Sequence, residues 1–147
     1  HRQMTDHDNN TKIAELIGFH NTVGLMKRYL WYRPDARGYT ANESDAGRYT
    51  LEEAKDHEYL LGEEPVTIHK FSTPKFNESL DACRLFELTL DPVELSDYGA
   101  RLRWIVTHTT EVKDRHPDTG RIPDGRYYCA PARERCDAFL QLKGEIE

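Results

Sequence analysis

Between residues 28 and 49 the chain concentrates arginines and aromatic residues: Arg28, Tyr29, Trp31, Tyr32, Arg33, Arg37, Tyr39, Arg48 and Tyr49. A guanidinium is a planar, two-point donor to phosphate or carboxylate, and a tyrosine or tryptophan face stacks on bases and other rings, so this mixture suits an anionic or planar ligand. Gly38 and Gly47 would let the backbone approach an anion closely. The alternative is structural: aromatics that fill a core while the arginines pair with nearby acids. If the chain has a ligand or partner site, its candidates are Arg28, Trp31, Tyr32, Arg33, Arg37, Tyr39, Arg48 and Tyr49.

Two other groups carry less. Glu52, Glu53, Asp56, His57 and Glu58, with His69 further on, place Glu53 and His57 on one helical face, but no HExxH or other metal-ligand spacing is present. A solvated helix face is the reading we adopt, with no metal and no cofactor. Arg101, Arg103, Arg121 and Arg126 could form a basic ladder across a hairpin, for an acidic partner or a phosphate, or simply pair with Glu111, Asp114 and Asp118. The sequence has no GxSxG, P-loop or GxGxxG pattern, and Cys129 or a lone serine would lack a recognisable base. No catalytic residue is assigned, and the chain is expected not to be an enzyme.

The elements that must position these residues follow from pattern and punctuation. A polar leader over residues 1–10 precedes a helix over 11–20, and His1-Arg2-Gln3 ahead of Met4 carry no argument. Residues 26–33 alternate as one strand, closed by Pro34-Asp35. Thr50 and Glu53 form a capping box, with Tyr49 and Ala54 in the staple positions, for a helix that reaches Tyr59 or Leu61 before Gly62. Pro65–His69 reads as a strand that pairs with 26–33. Beyond Ser72, Asn77 caps a helix with Leu80, Ala82, Cys83 and Phe86 facing inward, and Asp91-Pro92 breaks it. Residues 101–109 alternate Leu102, Trp104 and Val106 against Arg101, Arg103, Thr107 and Thr109, which predicts a strand, and Arg126–Ala130 a second one. The connector 111–125 between them is long enough to be either mobile or functional. Pro131 opens a last helix carrying Ala132, Cys136, Phe139, Leu140 and Lys143, ended by Gly144. The expected fold is α+β: two lobes, 11–70 and 72–144, each a small antiparallel sheet with flanking helices, sandwich-like.

Composition bounds the function. The chain has 147 residues, 20 Lys and Arg against 26 Asp and Glu, and a formal charge of −6 divided evenly between its halves. That balance disfavours a broad nucleic-acid surface, which needs clustered basic residues, and no apolar run approaches membrane-spanning length. Three cysteines, Cys83, Cys129 and Cys136, are too few for a secreted disulfide framework and read as reduced thiols in a cytosolic protein, two of them in helix cores.

Residues 72–144 resemble the phage ABA sandwich domain of small proteins from tailed bacteriophages and prophages. The likeness is carried by Phe76-Asn77-Glu78-Ser79-Leu80-Asp81-Ala82, by Leu102-Arg103-Trp104-Ile105-Val106, by Tyr127-Tyr128-Cys129-Ala130, and by the cysteine helix Ala132-Arg133-Glu134-Arg135-Cys136-Asp137-Ala138-Phe139-Leu140. The first half, with Tyr32-Arg33-Pro34, Gly38-Tyr39-Thr40, Ala46-Gly47-Arg48-Tyr49-Thr50 and Glu52-Glu53-Ala54, is similar to another recurrent module of short phage reading frames. The resemblance implies a phage or prophage accessory protein and brings no catalytic residues with it. The expected function is therefore non-catalytic binding of a host bacterial protein or a small anionic ligand in the host cytoplasm, with counter-defence as the analogy and an oligomer compatible with it. The alternative is a nucleotide or nucleic-acid binder using residues 28–49.

Overall fold

A computed structural model describes residues 4–60 and 66–147, with the side chains of 58–60 set aside. The predicted stop at Leu61–Gly62, Pro65 at the start of the next strand, and residues 1–3 lie outside the described residues. The chain is α+β, and its Cα positions fall into two compact units, one made of the chain up to Ile17 together with Pro74–Glu147, the other of Gly18–Thr73. The division differs from the lobes expected at 11–70 and 72–144, because the first helix belongs with the C-terminal residues.

The unit Gly18–Thr73 holds an antiparallel sheet of β1 (Thr22–Lys27), β2 (Leu30–Tyr32), β3 (Tyr39–Thr40), β4 (Tyr49–Thr50) and β5 (Val66–His69), with the helix Leu51–Leu60. The strand expected over 26–33 is two strands. Lys27 pairs with Leu30 and Met26 with Trp31 across a two-residue turn, Arg28-Tyr29, in which Arg28 takes φ 57°. Such turns normally advertise themselves with Asn or Gly, and none stands here. β1 is central, and β5 runs against it from Gly24↔His69 to Lys27↔Val66. Val23, Leu25, Tyr32, Tyr49 and Ala54 form the core on one face, with Val66 and Ile68 packed against it. Thr50 does cap the helix: its hydroxyl accepts the Glu53 backbone N–H at 3.1 Å and donates to the Glu53 carboxylate at 3.0 Å.

The regular elements of the other unit are helices, with no strand among its described residues, so the sheet expected over 72–144 is not there. It contains α1 (Asp6–Leu16), α3 (Leu80–Glu87), α4 (Pro92–Thr109), α5 (Asp124–Tyr128) and α6 (Ala132–Leu142), with α2 the helix Leu51–Leu60 named above. α1 starts within the supposed leader because Thr5 and Asp8 make a capping box. α3 is capped by Ser79, while Asn77 exchanges two hydrogen bonds with Asn10 at 2.9 and 3.2 Å. Asp91-Pro92 begins a helix instead of ending one: Asp91 is the cap, Glu94 completes its box, and Pro92 fits the first turn, where no N–H is needed. The predicted strand 101–109 is the second half of α4, and the predicted strand Arg126–Ala130 is the last three residues of α5 and the two that follow it.

α4 packs along α6, and α3 and α1 also pack on α6. Phe86 stacks on Phe139 with centroids 4.6 Å apart and meets Phe76 at 6.0 Å and Tyr98 at 6.2 Å. Cys83 and Cys136 are buried, free thiols beside these rings, and Cys129 is exposed. A hydrogen bond with Cys83, together with burial, pushes the Cys136 thiol upward, away from the reactive thiolate. Glu87 accepts from the Tyr98 hydroxyl at 2.8 Å and from Arg135 at 3.0 Å, while Arg126 grips Glu134 at 2.7 and 3.0 Å. The connector 111–125 is ordered: Arg115 donates to the Thr107 and Thr110 carbonyls, and His116 Nδ1 accepts backbone N–H groups of Asp118 and Thr119 at 3.2 and 3.4 Å.

Two carboxylates on α6 respond to pH in opposite directions. Burial alone would raise Glu134, but the hydrogen bonds from Arg126 and Thr109 overcome it and hold its pKa below the ordinary range. Its contribution is present above the usual glutamate pKa and is lost as pH falls through its lowered one. Burial raises Asp137, with Arg133 opposing and Glu134 and Asp6 adding to the rise. Where Asp137 is ionised, the folded chain bears a desolvation cost that the unfolded chain does not. Asp137→Asn is therefore expected to raise Tm at pH 7, and the gain should vanish as pH falls through the raised Asp137 pKa, as read by thermal melts at pH 7 and pH 4.

Candidate functional site

The sheet register decides what becomes of the arginine and aromatic segment. Side chains alternate faces along each strand, so Tyr32 and Tyr49 join Val23 and Leu25 on one side, while Trp31 lies with Met26 and Gly24 on the other. Tyr32 and Tyr49 are thus buried core residues. The Tyr49 hydroxyl donates to the Arg33 carbonyl and accepts the Ala36 N–H at 3.0 Å. It clamps a bend in which Asp35 and Ala36 both have left-handed φ, 57° and 56°.

On the opposite face Trp31 stacks on Phe71, with centroids 5.2 Å apart and an interplanar angle of 19°, and meets the edge of His69. It lies so close over Gly24 that a Cβ there would sit 2.4 Å from the indole. The Arg48 guanidinium packs over Phe19 at 4.2 Å and Phe71 at 4.5 Å and donates to the Phe19 carbonyl. Burial lowers its pKa, with the Glu43 charge opposing. Phe19 and Phe71 fall outside the 28–49 window and were not among the candidates. Phe71 could have been found by extending the alternation Thr67, His69 by one more step.

What remains for a ligand is the tip of the β1–β2 hairpin. Lys27, Arg28, Tyr29, Leu30 and Tyr39 line an open cleft of about 330 Å³. Tyr29 is 91% exposed, and Lys27 Nζ lies 5.9 Å from the centre of the Tyr39 ring, which also packs on Tyr32 at 4.8 Å. Arg33 is exposed beside this tip, with its Nε donating to the Tyr39 carbonyl at 3.1 Å, and Arg37 is exposed in the following bend. Arg28, Asp35 and Ala36 are the non-glycine residues with positive φ among the described residues, so backbone strain is confined to this stretch. Strain of that kind gathers at binding elements. The structure therefore separates the eight candidates: Arg28 and Tyr39 line the cleft, Arg33 and Arg37 lie exposed close by in sequence, and Trp31, Tyr32, Arg48 and Tyr49 are engaged in packing. Lys27 and Leu30 join the cleft without having been singled out. The cleft is lined by two cationic side chains, both also engaged within the fold, and by two phenol rings, a lining whose chemistry would suit an anionic or planar group.

The other groups do not converge. Glu53 is occupied as a cap, His57 lies edge-on to Tyr49 at 5.3 Å, and His69 shares a 2.7 Å hydrogen bond with Thr67; the Glu58 side chain lies outside the described residues. No group of three His, Cys, Asp or Glu residues able to hold a metal occurs among the described residues. The expected arginine ladder is dispersed because its strands are helices: Arg101 pairs with Asp97 at 3.1 Å, Arg103 covers Tyr127 at 4.5 Å, Arg121 lies 3.7 Å from Asp124, and Arg126 holds Glu134. No helix among the described residues is long and apolar enough to cross a membrane. Comparison with protein-family models, with curated proteins and with solved structures returns no match to the chain.

Proposed function

We propose that this chain is a non-catalytic binding protein of phage or prophage origin, acting in the host cytoplasm on a host protein through the tip of the β1–β2 hairpin. One observation carries the binding reading: Tyr29 stands almost fully exposed in a strained turn, flanked by Lys27, Arg28 and Tyr39 around an open cleft. Exposed tyrosine and arginine are the residues that anchor protein interfaces, and the local cations on an acidic chain favour an acidic patch on the partner. The phage attribution rests on the residue strings 76–82, 102–106, 127–130 and 132–140 and on those of the first half; of the C-terminal strings, 80–82, 102–106, 127–128 and 132–140 lie in helices, and counter-defence is the role the resemblance suggests.

Arg28 occupies a left-handed conformation that glycine adopts without cost, so Arg28→Gly removes the cation while relieving the turn. With the full chain immobilised, a bacterial lysate should yield one protein in stoichiometric amount, released by added salt. The double variant Arg28→Gly, Tyr29→Ser should lose at least tenfold in affinity for it while melting no lower than the parent. Retention of that protein by the double variant, or no capture by the parent, would overturn the reading. A nucleotide is the second reading, favoured by the two phenol rings beside two cations. It requires that ADP bind the parent, more weakly as salt rises, and fail to bind the double variant.

A further inference from the structure

The longest helix carries a face that nothing within its unit covers. On α4 the buried residues are Tyr98, Ile105 and Val106, and on the opposite side Val93, Ser96, Asp97, Gly99, Ala100, Arg103 and Trp104 are all exposed. Val93 is 79% exposed and Trp104 59%, and the indole is propped outward by stacking on His108 at 4.0 Å. An indole held rigid in solvent is the kind of side chain that anchors an interface once it finds a surface.

The arrangement of this face about Ala100 is symmetric in a way that identifies the surface. Asp97 precedes Ala100 by the same spacing at which Arg103 follows it, and Ser96 precedes it as Trp104 follows. A second copy of α4 laid antiparallel, with a two-fold axis through Ala100, sets Asp97 opposite the partner's Arg103 and Ser96 opposite the partner's Trp104, and the same contacts recur on the other side of the axis. Val93 then faces the partner's Thr107, whose hydroxyl lies 3.3 Å from the phenol of Tyr127 in its own chain. Two ion pairs form, each bulky indole lies over the small side chains of Ser96 and Ala100 on the other helix, and the helix dipoles run opposed. A heterologous partner would not require charges of opposite sign at equal distances on either side of one residue.

We propose that the exposed face of α4 is a homodimer interface, formed antiparallel about Ala100 with reciprocal Asp97–Arg103 ion pairs and Trp104 as its anchor. An 18-residue helix is about 27 Å long. A single helix pair of that length lies at the small end of specific interfaces, so the dimer dissociates in the micromolar range. Arg103 leaves the Tyr127 ring, or bridges from it, and Asp97 is shared between Arg101 of its own chain and the new partner. The site is separate from the hairpin tip and does not rest on the binding reading given above.

Sedimentation velocity of the full chain across a concentration series tests this. The parent should pass from monomer to dimer, with the dimer weakened by salt, whereas Ala100→Arg and Trp104→Ala should each shift dissociation at least tenfold without changing the helical circular dichroism. Asp97→Arg and Arg103→Asp should each be monomeric alone. Mixed in equal amounts they should form a heterodimer, because both ion pairs are then restored with reversed or native polarity. A parent that is monomeric at every concentration, a dimer that survives Ala100→Arg, or an equimolar mixture that stays monomeric would each overturn the proposal.

Discussion

Phe86→Ala is expected to lower the unfolding free energy by about 3–5 kcal/mol. Phe86 is fully buried on α3, stacked on Phe139 and flanked by Phe76 and Tyr98, so it joins three helices and the segment before α3 through one ring. Truncation removes the ring's transfer energy and leaves a cavity that its neighbours cannot fill. Phe139 is pinned on α6, and Tyr98 is fixed by its 2.8 Å bond to Glu87, itself held by Arg135. A cavity between side chains that cannot relax lies at the costly end of the range. Phe86→Leu, which keeps most of the volume, should lose roughly half as much or less. Urea unfolding followed by circular dichroism distinguishes them, and equal losses for the two variants would mean that the aromatic stack is not what holds these helices together.

Tyr49→Ala should cost about as much, and for a mixed reason. Its ring belongs to the core with Val23, Leu25 and Tyr32, and its hydroxyl supports both the Arg33 carbonyl and the Ala36 N–H. Tyr49→Phe separates the contributions: it keeps the ring and removes the hydroxyl's bonds to the Arg33 carbonyl and the Ala36 N–H, which still bond each other at 3.1 Å, at about 0.5–1.5 kcal/mol. Because Asp35 and Ala36 hold left-handed backbone there, loss of the hydroxyl should also loosen residues 33–37, seen as faster amide exchange at Ala36 and Arg37. A Tyr49→Phe variant as stable and as protected as the parent would show that the bend needs no clamp. The variant matters for function as well, since Arg33, whose carbonyl the hydroxyl grips, also donates to Tyr39 at the cleft.

Local capping and helical spacing were legible in the sequence. Thr50 with Glu53 and the apolar stripe of α6 follow from side chains acting on their near neighbours, while the pairing of 66–69 with β1 joins residues about 40 positions apart and follows from two apolar extended segments in one small unit. Legibility failed where two periods compete. Leu102, Trp104 and Val106 alternate, yet the residues that bury are Tyr98, Ile105 and Val106, spaced for a helix, and Trp104 faces solvent. Asp91-Pro92 read as a stop because proline ends helices more conspicuously than it begins them, although Glu94 three residues after Asp91 already marked a capping box. At the site, the sequence concentrated the right chemistry in 28–49 but could not apportion it. Which of these residues pack and which face the cleft depends on a turn at Arg28-Tyr29 that carries no turn residue, and displacing that turn by one position exchanges the faces of every side chain in β2.

The discontinuity of the helical unit has a consequence for the order in which the chain becomes structured. α1 is tied to α6 through Arg133 and Asp6, 127 positions apart. During synthesis α1 emerges before α6 and cannot dock on it until α6 has left the ribosome, and Gly18–Thr73 can complete its sheet in the interval. A short helix is marginal in isolation, so α1, made well before α6, is secured only once α6 is in place. Its loss by fraying would bare α6 beneath it, which makes the Asp6–Arg133 pair the natural place for the finished fold to begin coming apart.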